Sequence, residues 1–428
     1  MLDNFLYKIK KILPTKLFSF LQPIYHYILS FFAALIYRFP SNKITVVGVT
    51  GTKGKTSTIE IISAILEEAG LKTALAGTLR FKVGSDTEKN DYKMTMPGRF
   101  FIQKFLRRAV KEKCNYVLLE VTSQGIAQYR HKFINFDVII FTNLSPEHIE
   151  YHGSYENYLQ TKLKVIKSLE KSNKKRKVII SNTDDKEGYK FLNADVQEKY
   201  PYSKRDVEPY KIKKEGLEIT VDDIKIEPKL SGEFNLYNIV AAIKFVKTQK
   251  IHTNIIKYAL EKFSGIRGRL EKIEEGQDFT VIVDYAHTPD SLEKVYEVFQ
   301  SSKKICVLGN TGGGRDKWKR KEMAKIAKRH CSQIILTNED PYDENPLEIV
   351  SVMKKEIGDS NCQIIMDRRE AIKKALELAT TGDAVLITGK GTDPYIMGPN
   401  NTKIPWDDAS VVREEIRKLL HNFQISNS

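Results

Sequence analysis

The segment Gly51–Ser57, GTKGKTS, has the composition of a loop that cradles phosphates. Glycines let backbone N–H groups approach phosphate oxygens, Lys55 adds positive charge, and Thr56 brings a hydroxyl within reach of a Mg2+ ion. Gly51, Thr52, Lys53, Gly54, Lys55, Thr56 and Ser57 are therefore the expected contacts of a nucleoside triphosphate. The strict phosphate-loop pattern places a glycine five residues before Gly54, where this chain has Val49, so the loop is a variant.

Two further residues fit the same chemistry. Glu120 ends the apolar run YVLLEV, at the strand end where sheet enzymes place active groups. His148 follows a second such run, DVIIFT. Both are expected at a cleft opened by the phosphate loop, as Mg2+ ligands. In TNLSPEHIEYHGSYENYLQTK, however, Lys162 stands 14 residues after His148, and an ammonium group has the wrong charge for a cation pocket. His152 in the same stretch is read as structural.

The elements that must position these residues alternate between strand and helix. KITVVGV is short and apolar enough for a buried strand, and it runs directly into the glycine loop. Ile59, Ile62, Leu66 and Ala69 then recur at helical spacing until Gly70 stops the helix. With YVLLEV and DVIIFT as further strands, the pattern predicts a mostly parallel sheet. Residues 176–230 read differently, as short antiparallel pieces such as GLEITV and DIKIEP. A helix is expected at NLYNIVAAIKFVK, and the two glycines of GIRGRLE read as a hinge. A second α/β series follows, with strands VIVDYA, KICVLGN, QIILTN, QIIMD and AVLITG. The expected fold class is α/β: a phosphate-loop central domain with a mostly parallel sheet, and a Rossmann-like C-terminal domain. The expected divisions are an apolar and basic helical element at 1–42, a central domain at 43–265 and a C-terminal domain at 266–428, with a cleft between the two domains.

The chain has 428 residues, 41% apolar and 29% charged, which is ordinary for a soluble protein of two or three domains. Lys and Arg outnumber Asp and Glu by 69 to 54, a net charge of +15. The lysines are scattered except in KSNKKRK, so a nucleic-acid partner is not expected, while small anionic substrates are. Cys114, Cys306, Cys331 and Cys362 form no C-x-x-C pair, which argues against a zinc site and a disulfide framework and fits a reducing cytoplasm. Lys8, Lys10, Lys11 and Lys16 precede the apolar stretch Leu17–Tyr37, which Gln22, Pro23 and His26 interrupt. A helical hairpin packed on the next domain is one reading; peripheral contact of residues 1–40 with the inner membrane face is the other. Neither a signal peptide nor a transmembrane span is expected.

GTKGKTS, LLEVTSQGI, TNLSPEHIEYHGSYENYLQTK, FNLYNIVAAI, GIRGRLE, VDYAHTPDSL, GGGRDKWKR and GKGTD occur in the order found in the Mur ligases. Over about residues 43–428 the chain resembles their UDP-N-acetylmuramoyl-tripeptide synthetase branch. The resemblance implies an ATP-dependent ligase of peptidoglycan synthesis that joins a muramoyl-peptide-type carboxylate to an amino acid through an acyl phosphate. It also accounts for the lysine: at the position of Lys162 the family carries a lysine that reacts with CO2, and the resulting carbamate binds Mg2+. Thr56 and Glu120 would hold one Mg2+, and His148 and carbamylated Lys162 would help hold a second. Lys55, Glu120, His148 and Lys162 are then the expected catalytic residues. Asn238, Arg269, Asp284, Tyr285 and His287 match nucleotide-side positions. Arg315 matches the arginine that receives the incoming amino acid's α-carboxylate, and Thr95, Ser123, Asp340, Tyr342, Gly389 and Asp393 complete the implied substrate contacts. A monomer is expected.

Two departures qualify what the resemblance implies. Only about 42 residues precede the nucleotide-binding strand, where the family usually has a domain that grips the UDP carrier, so a different carrier is an open alternative. Folylpolyglutamate synthetases share the fold and supply a second alternative, an amino-acid ligase acting on a non-UDP substrate. A membrane-attached, non-catalytic nucleotide-binding subunit is a third. In NEDPYDENP, Tyr342 replaces the arginine of the DNPR motif found in enzymes that add diaminopimelate. Asp340 and Asp393 would suit a positively charged side chain, so lysine or ornithine is expected over diaminopimelate.

Overall fold

A computed structural model of the protein describes residues 15–213 and 215–426, with side-chain environments inside 21–422. The chain divides into two compact units. The first comprises the residues up to Pro146, Ser154–Asp206 and Tyr237–Ala259; the second comprises Glu147–Gly153, Val207–Leu236 and the chain from Leu260 onward.

The first unit is built on β1 (Thr45–Thr50), β2 (Thr73–Ala76), β3 (Arg80–Val83), β4 (Asp86–Lys89), β5 (Tyr116–Val121), β6 (Val138–Phe141), β7 (Val178–Asn182) and β8 (Glu198–Tyr202). Their order is β4-β3-β2-β5-β1-β6-β7-β8, parallel from β2 to β8, with β3 and β4 added antiparallel at one edge. Helices cover both faces of a parallel sheet, so its central strands read as continuous apolar runs. In β1, Val46, Val47 and Val49 are fully buried. The helix Lys55–Glu68 buries Ile59, Ile62 and Leu66, as their spacing predicts. Its end is closed by Gly70 at φ 77°, with Gly70 N bonded to Glu67 O and Leu71 N to Leu66 O.

The second unit holds a three-stranded antiparallel patch, β9 (Lys211–Ile212), β10 (Leu217–Val221) and β11 (Ile224–Ile226). Its main sheet comprises β12 (Glu271–Lys272), β13 (Thr280–Asp284), β14 (Lys304–Leu308), β15 (Gln333–Leu336), β16 (Cys362–Ile364) and β17 (Ala384–Thr388). The order is β12-β13-β17-β14-β15-β16, all parallel except β12. A hairpin of β18 (Tyr395–Met397) and β19 (Lys403–Pro405) follows. Separate apolar clusters, one around Leu292, Met323 and Met353 and the other around Ile372, Val412 and Ile416, pack the two faces of this sheet.

The fold class is therefore the expected one, but two local readings change. Residues 176–230 are not all an antiparallel patch: β7 and β8 extend the parallel sheet, and only β9–β11 pair antiparallel. Short strands of either kind share the same residue types, so periodicity alone did not separate them. Cys306 and Cys331 form a disulfide, with Cα atoms 6.1 Å apart, against the expectation that the cysteines form no disulfide framework. The strand–helix–strand return that pairs Ile305 with Gln333 brings Cys331, two residues earlier, back beside Cys306. Cys114 and Cys362 are free and buried. At the N-terminal end one helix, Thr15–Ile36, leads into a short turn at Pro40–Lys43. The other arm of a hairpin would fall on residues 1–14, outside the described residues.

Candidate active site

The glycine loop joins the end of β1 to the helix that starts at Lys55, so helix N-terminal N–H groups and their dipole face the loop. Gly51 (φ 148°) has no room for a side chain, since a Cβ would lie 2.0 Å from Thr142 Oγ1. At Gly54 (φ 82°) a Cβ would lie 2.2 Å from Asn238 Oδ1, which places Asn238 against the loop. The residues that follow β6 fix the loop's shape. Thr142 Oγ1 donates to Lys53 O at 2.7 Å, Lys53 N to Asn143 Oδ1 at 2.9 Å, and Thr52 N to Asn143 O at 2.8 Å. Lys55 folds back over the loop and donates to the carbonyls of Gly51 (3.0 Å) and Thr52 (2.8 Å). Ser57 is buried in the first turn of the helix.

Parallel pairing of β1 with β5 sets Val49 beside Glu120, so the carboxylate emerges next to the loop. Thr56 Oγ1 donates to Glu120 Oε1 at 2.9 Å. Thr78 donates twice, from N to Oε1 at 2.7 Å and from Oγ1 to Oε2 at 3.1 Å. Gly77 makes that approach feasible, because a Cβ there would sit 2.3 Å from Glu120 Oε1. Thr95 joins through its hydroxyl, 2.9 Å from Thr78 Oγ1. Ser123 is buried at the start of the short helix after β5, which Thr122 caps.

Lys162 lies on the helix Tyr155–Glu170, which Ser154 caps. It is 1% exposed. Its Nζ donates to Gly51 O at 2.7 Å and stands 4.9 Å from the centre of the Tyr158 ring. The Tyr158 hydroxyl is 3.1 Å from Thr52 Oγ1. Thr56, Glu120 and Lys162, far apart in sequence, are thus gathered at one loop and the first turn after it.

His148 falls in the segment that belongs to the second unit. There it precedes the short helix Ile149–His152, with its Nδ1 3.9 Å from Glu150 Oε1. Burial opposes charge on Glu150, but the neighbouring His148 and Asp316 side chains outweigh it and hold its pKa at about 2. Asp316, buried and facing Glu150, is raised. Among the described residues no three His, Cys, Asp or Glu side chains form a metal-binding group. A cation at the loop would therefore depend on the hydroxyl and carboxylate of Thr56 and Glu120, hard oxygen donors suited to Mg2+ with phosphate oxygens completing its shell.

The second unit collects the remaining candidates. Asp284 at the end of β13 accepts from Ala286 N and Leu270 N, both at 2.7 Å, which fixes the turn carrying Tyr285 and His287. The Arg269 guanidinium lies 4.4 Å from the Tyr285 ring centre, a cation–π contact. His287 Nδ1 is 2.8 Å from Tyr285 O, and its Nε2 is 3.2 Å from the buried carboxylate of Glu147. Partial enclosure opposes the charge on Arg315, but Tyr342, Tyr285, Asp340 and Asp393 overcome it and raise its pKa. Gly389 (φ 106°) packs on Glu339, where a Cβ would lie 2.4 Å from Oε2. Tyr342, at φ 51°, lies over Gly313.

Asp340 and Asp393 share an internal cation, which changes their reading as a pocket for a substrate's positive charge. Lys390, fully buried, donates to Asp340 Oδ1 at 2.9 Å, Asp393 Oδ2 at 3.2 Å and Tyr395 O at 2.6 Å. Met397 N adds a 2.7 Å bond to Asp340 Oδ1. Lys390 sits in GKGTD, so its motif was visible although its partners were not. Thr78 sits where no spacing or motif marks a site; Thr142 and Asn143 open the stretch TNLSPEHIEYHGSYENYLQTK without being singled out, and Glu147 was passed over beside His148.

Comparison with known proteins gives the family. The Mur ligase middle domain matches residues 49–246, and the Mur ligase glutamate ligase domain matches residues 268–391. A UDP-N-acetylmuramoyl-L-alanyl-D-glutamate–2,6-diaminopimelate ligase of Syntrophomonas wolfei is 38% identical over 416 residues, 91% of this chain and 81% of the relative. A UDP-N-acetylmuramyl-tripeptide synthetase of a Roseiflexus species is 34% identical over 418 residues, 90% of this chain and 81% of the relative. Among solved structures, a diaminopimelate ligase of the same name as the first relative has a TM-score of 0.61 at 28% identity, covering 88% of this chain and 79% of its own. A MurF ligase from Thermotoga maritima in complex with ADP has a TM-score of 0.65 at 19% identity, covering 92% and 84%, and shows the shared fold. The chain belongs to the Mur ligase family and is an ATP-dependent ligase that forms an amide bond in the making of peptidoglycan precursors.

Proposed function

We propose that this chain joins the terminal carboxylate of a muramoyl dipeptide to the α-amino group of an amino acid, with the loop Gly51–Ser57 holding the phosphates of ATP. The observation that carries the reading is the meeting of Lys55, the Thr56–Glu120 pair and buried Lys162 at that loop. The γ-phosphoryl group passes to the acceptor carboxylate, and the amino group displaces phosphate from the acyl phosphate. The products are the amide, ADP and phosphate. Little covalent work is asked of the protein in such a transfer, so positioning and charge neutralisation dominate.

Lys55 neutralises phosphate charge and the helix N-terminus adds its dipole. Thr56 and Glu120 would hold Mg2+, which when bound offsets negative charge on the phosphates and the acyl oxygen. His148 is proposed as a ligand of a second Mg2+. The ammonium of Lys162 loses a proton, and the neutral amine then adds CO2 and releases a second proton, leaving a carbamate, an anion in place of a cation. Burial favours the neutral amine that this reaction needs. On the amino-acid side, Arg315 receives the α-carboxylate, and a fork of N–H donors suits that task. Asn238, Arg269, Asp284, Tyr285 and His287 are assigned to the nucleotide; Thr95, Ser123, Tyr342 and Gly389 to acceptor or amino acid, with Asp340 and Asp393 holding Lys390 in place beside them.

Tyr342 offers no guanidinium to a distal carboxylate, which supports lysine or ornithine as the amino acid added. The activity named for the diaminopimelate-adding relatives is the competing outcome. ADP release, measured with UDP-muramoyl-dipeptide and each of lysine, ornithine and diaminopimelate, tests both halves of the reading. Saturable turnover with lysine is expected. Turnover with diaminopimelate alone overturns the choice of amino acid, and no turnover with any of them overturns the UDP-linked acceptor.

A further inference from the structure

The helix Thr15–Ile36 is built inside out. A helix on a soluble domain normally turns its large apolar side chains inward and leaves polar ones outside. Here the inward positions are Ser30, Ala33 and Ala34, all buried, with Ser30 Oγ donating to Tyr129 O at 2.8 Å. The large apolar residues Leu21, Ile24, Tyr27, Ile28, Phe31, Phe32, Leu35 and Ile36 are 40–63% exposed. Their spacing of three and four places them on one face, opposite the buried serine and alanines. Phe31 and Tyr27 edge against Phe133, which anchors the face along one border.

The charge around this face is one-sided. From Asn4 to Ile59 the chain has no Asp or Glu, while Lys8, Lys10, Lys11 and Lys16 precede the apolar face and Arg38 follows it. No charged residue interrupts Leu17–Tyr37. No described helix is long and apolar enough to cross a membrane. A large apolar face bordered by cations suits a surface that is oily beneath and negative on top.

We propose that the helix Thr15–Ile36 is a membrane-docking element, which lies flat on an anionic lipid surface with Ile24, Ile28, Phe32 and Leu35 in the acyl boundary. Each of these apolar side chains leaves water, and the positive charge that the sequence carries on both sides of the helix adds attraction to lipid phosphates. The domain itself takes the place of the polar face that a free amphipathic helix would carry. A ligase docked in this way works beside the bilayer, where a lipid-attached or membrane-delivered product would be consumed.

Co-sedimentation of the full chain with vesicles tests this. The comparison is phosphatidylcholine alone against phosphatidylcholine with phosphatidylglycerol, at low salt and at about 0.5 M salt, where the Debye length falls to about 4 Å. The parent chain is expected to bind the anionic vesicles and to keep part of that binding at high salt. The triple variant Ile24→Ser, Ile28→Ser, Phe32→Ser is expected to lose binding more than about tenfold, since about 0.8 kcal/mol is lost per CH2 withdrawn from lipid. Its melting temperature and its ADP release on soluble substrates should match the parent's. Lysine-to-glutamine changes at 8, 10, 11 and 16 should cost about fivefold per charge on anionic vesicles only. Equal binding by parent and triple variant overturns the proposal. So does a vesicle-free dimer that the triple variant dissociates, which would give the face to a second copy.

Discussion

Lys162 Nζ donates to the carbonyl of Gly51 at 2.7 Å, which ties a fully enclosed lysine to the first residue of the phosphate loop. The two residues come from a helix and a loop 111 positions apart. A lysine recruited for solubility would point outward. This one stands where the loop turns, and the proposed carbamate would carry its negative charge to that same point.

Lys162→Met removes the amine and keeps most of the volume. The expectation is a fall in kcat of at least about a hundredfold, the scale of losing one preorganised electrostatic group, with ATP affinity little changed. Isotopic labelling with 13C-bicarbonate should give a carbamate signal in the parent that is absent in Lys162→Met. Unchanged turnover would remove Lys162 from the chemistry.

Gly77→Ala pushes a methyl carbon onto Glu120 Oε1, at 2.3 Å in the undisturbed geometry. The carboxylate must turn away from Thr56. The expected result is a raised Mg2+ requirement for ADP release, with a folded protein by circular dichroism. A Mg2+ titration identical to the parent's would show that Glu120 does not serve the cation.

Glu120→Gln keeps shape but swaps one acceptor for a donor facing Thr56 Oγ1 and Thr78. Leaving a buried polar partner unmatched costs about 1–3 kcal/mol. Denaturant unfolding should therefore show lower stability, and activity should fall further than stability does. Loss of stability with full activity would make the residue purely architectural.

Arg368 and Asp408 form a buried pair, Nη2 to Oδ2 at 2.7 Å, with Nε to Oδ1 at 2.8 Å. Arg368→Met leaves a buried carboxylate without its guanidinium and should destabilise the second unit by about 3–5 kcal/mol. The double change Arg368→Met, Asp408→Leu should recover most of that. Calorimetry on both variants checks it, and a small effect of the single change would be the contrary result.

His131 is buried, and burial, with Lys132 and Lys164 adding to it, pushes its pKa from 6.5 down to about 3. The unfolded chain takes up the proton near pH 6.5 and the native chain only near pH 3. Protons therefore favour unfolding across that window, and stability falls as pH drops below 6.5, by about 1.4 kcal/mol per unit from this group. Above pH 6.5 its contribution is constant. His131→Leu should flatten the acid limb of a stability–pH curve, and an unaltered limb would point to other groups.

The order of strands and helices in the catalytic region was legible because each decision is local. An apolar run wide enough to be buried on both faces, a glycine that must take positive φ, and helical spacing up to Gly70 each carry their own signal. The strands at Thr45–Thr50, Tyr116–Val121 and Val138–Phe141 all fall where the apolar runs do. What only the tertiary structure decided are the relations that depend on register between distant segments. Parallel pairing of β1 with β5 sets Glu120 beside the loop, and the close approach of Gly77 brings Thr78 onto it. Lys390 takes up the two aspartates that the sequence offered to a substrate. Cys306 and Cys331 meet because one strand–helix–strand turn returns the chain to its start. The apolar residues at the N-terminal end declared a helix, but which way it faces was settled by what it packs against: small side chains fit the domain, and the large ones were left outside.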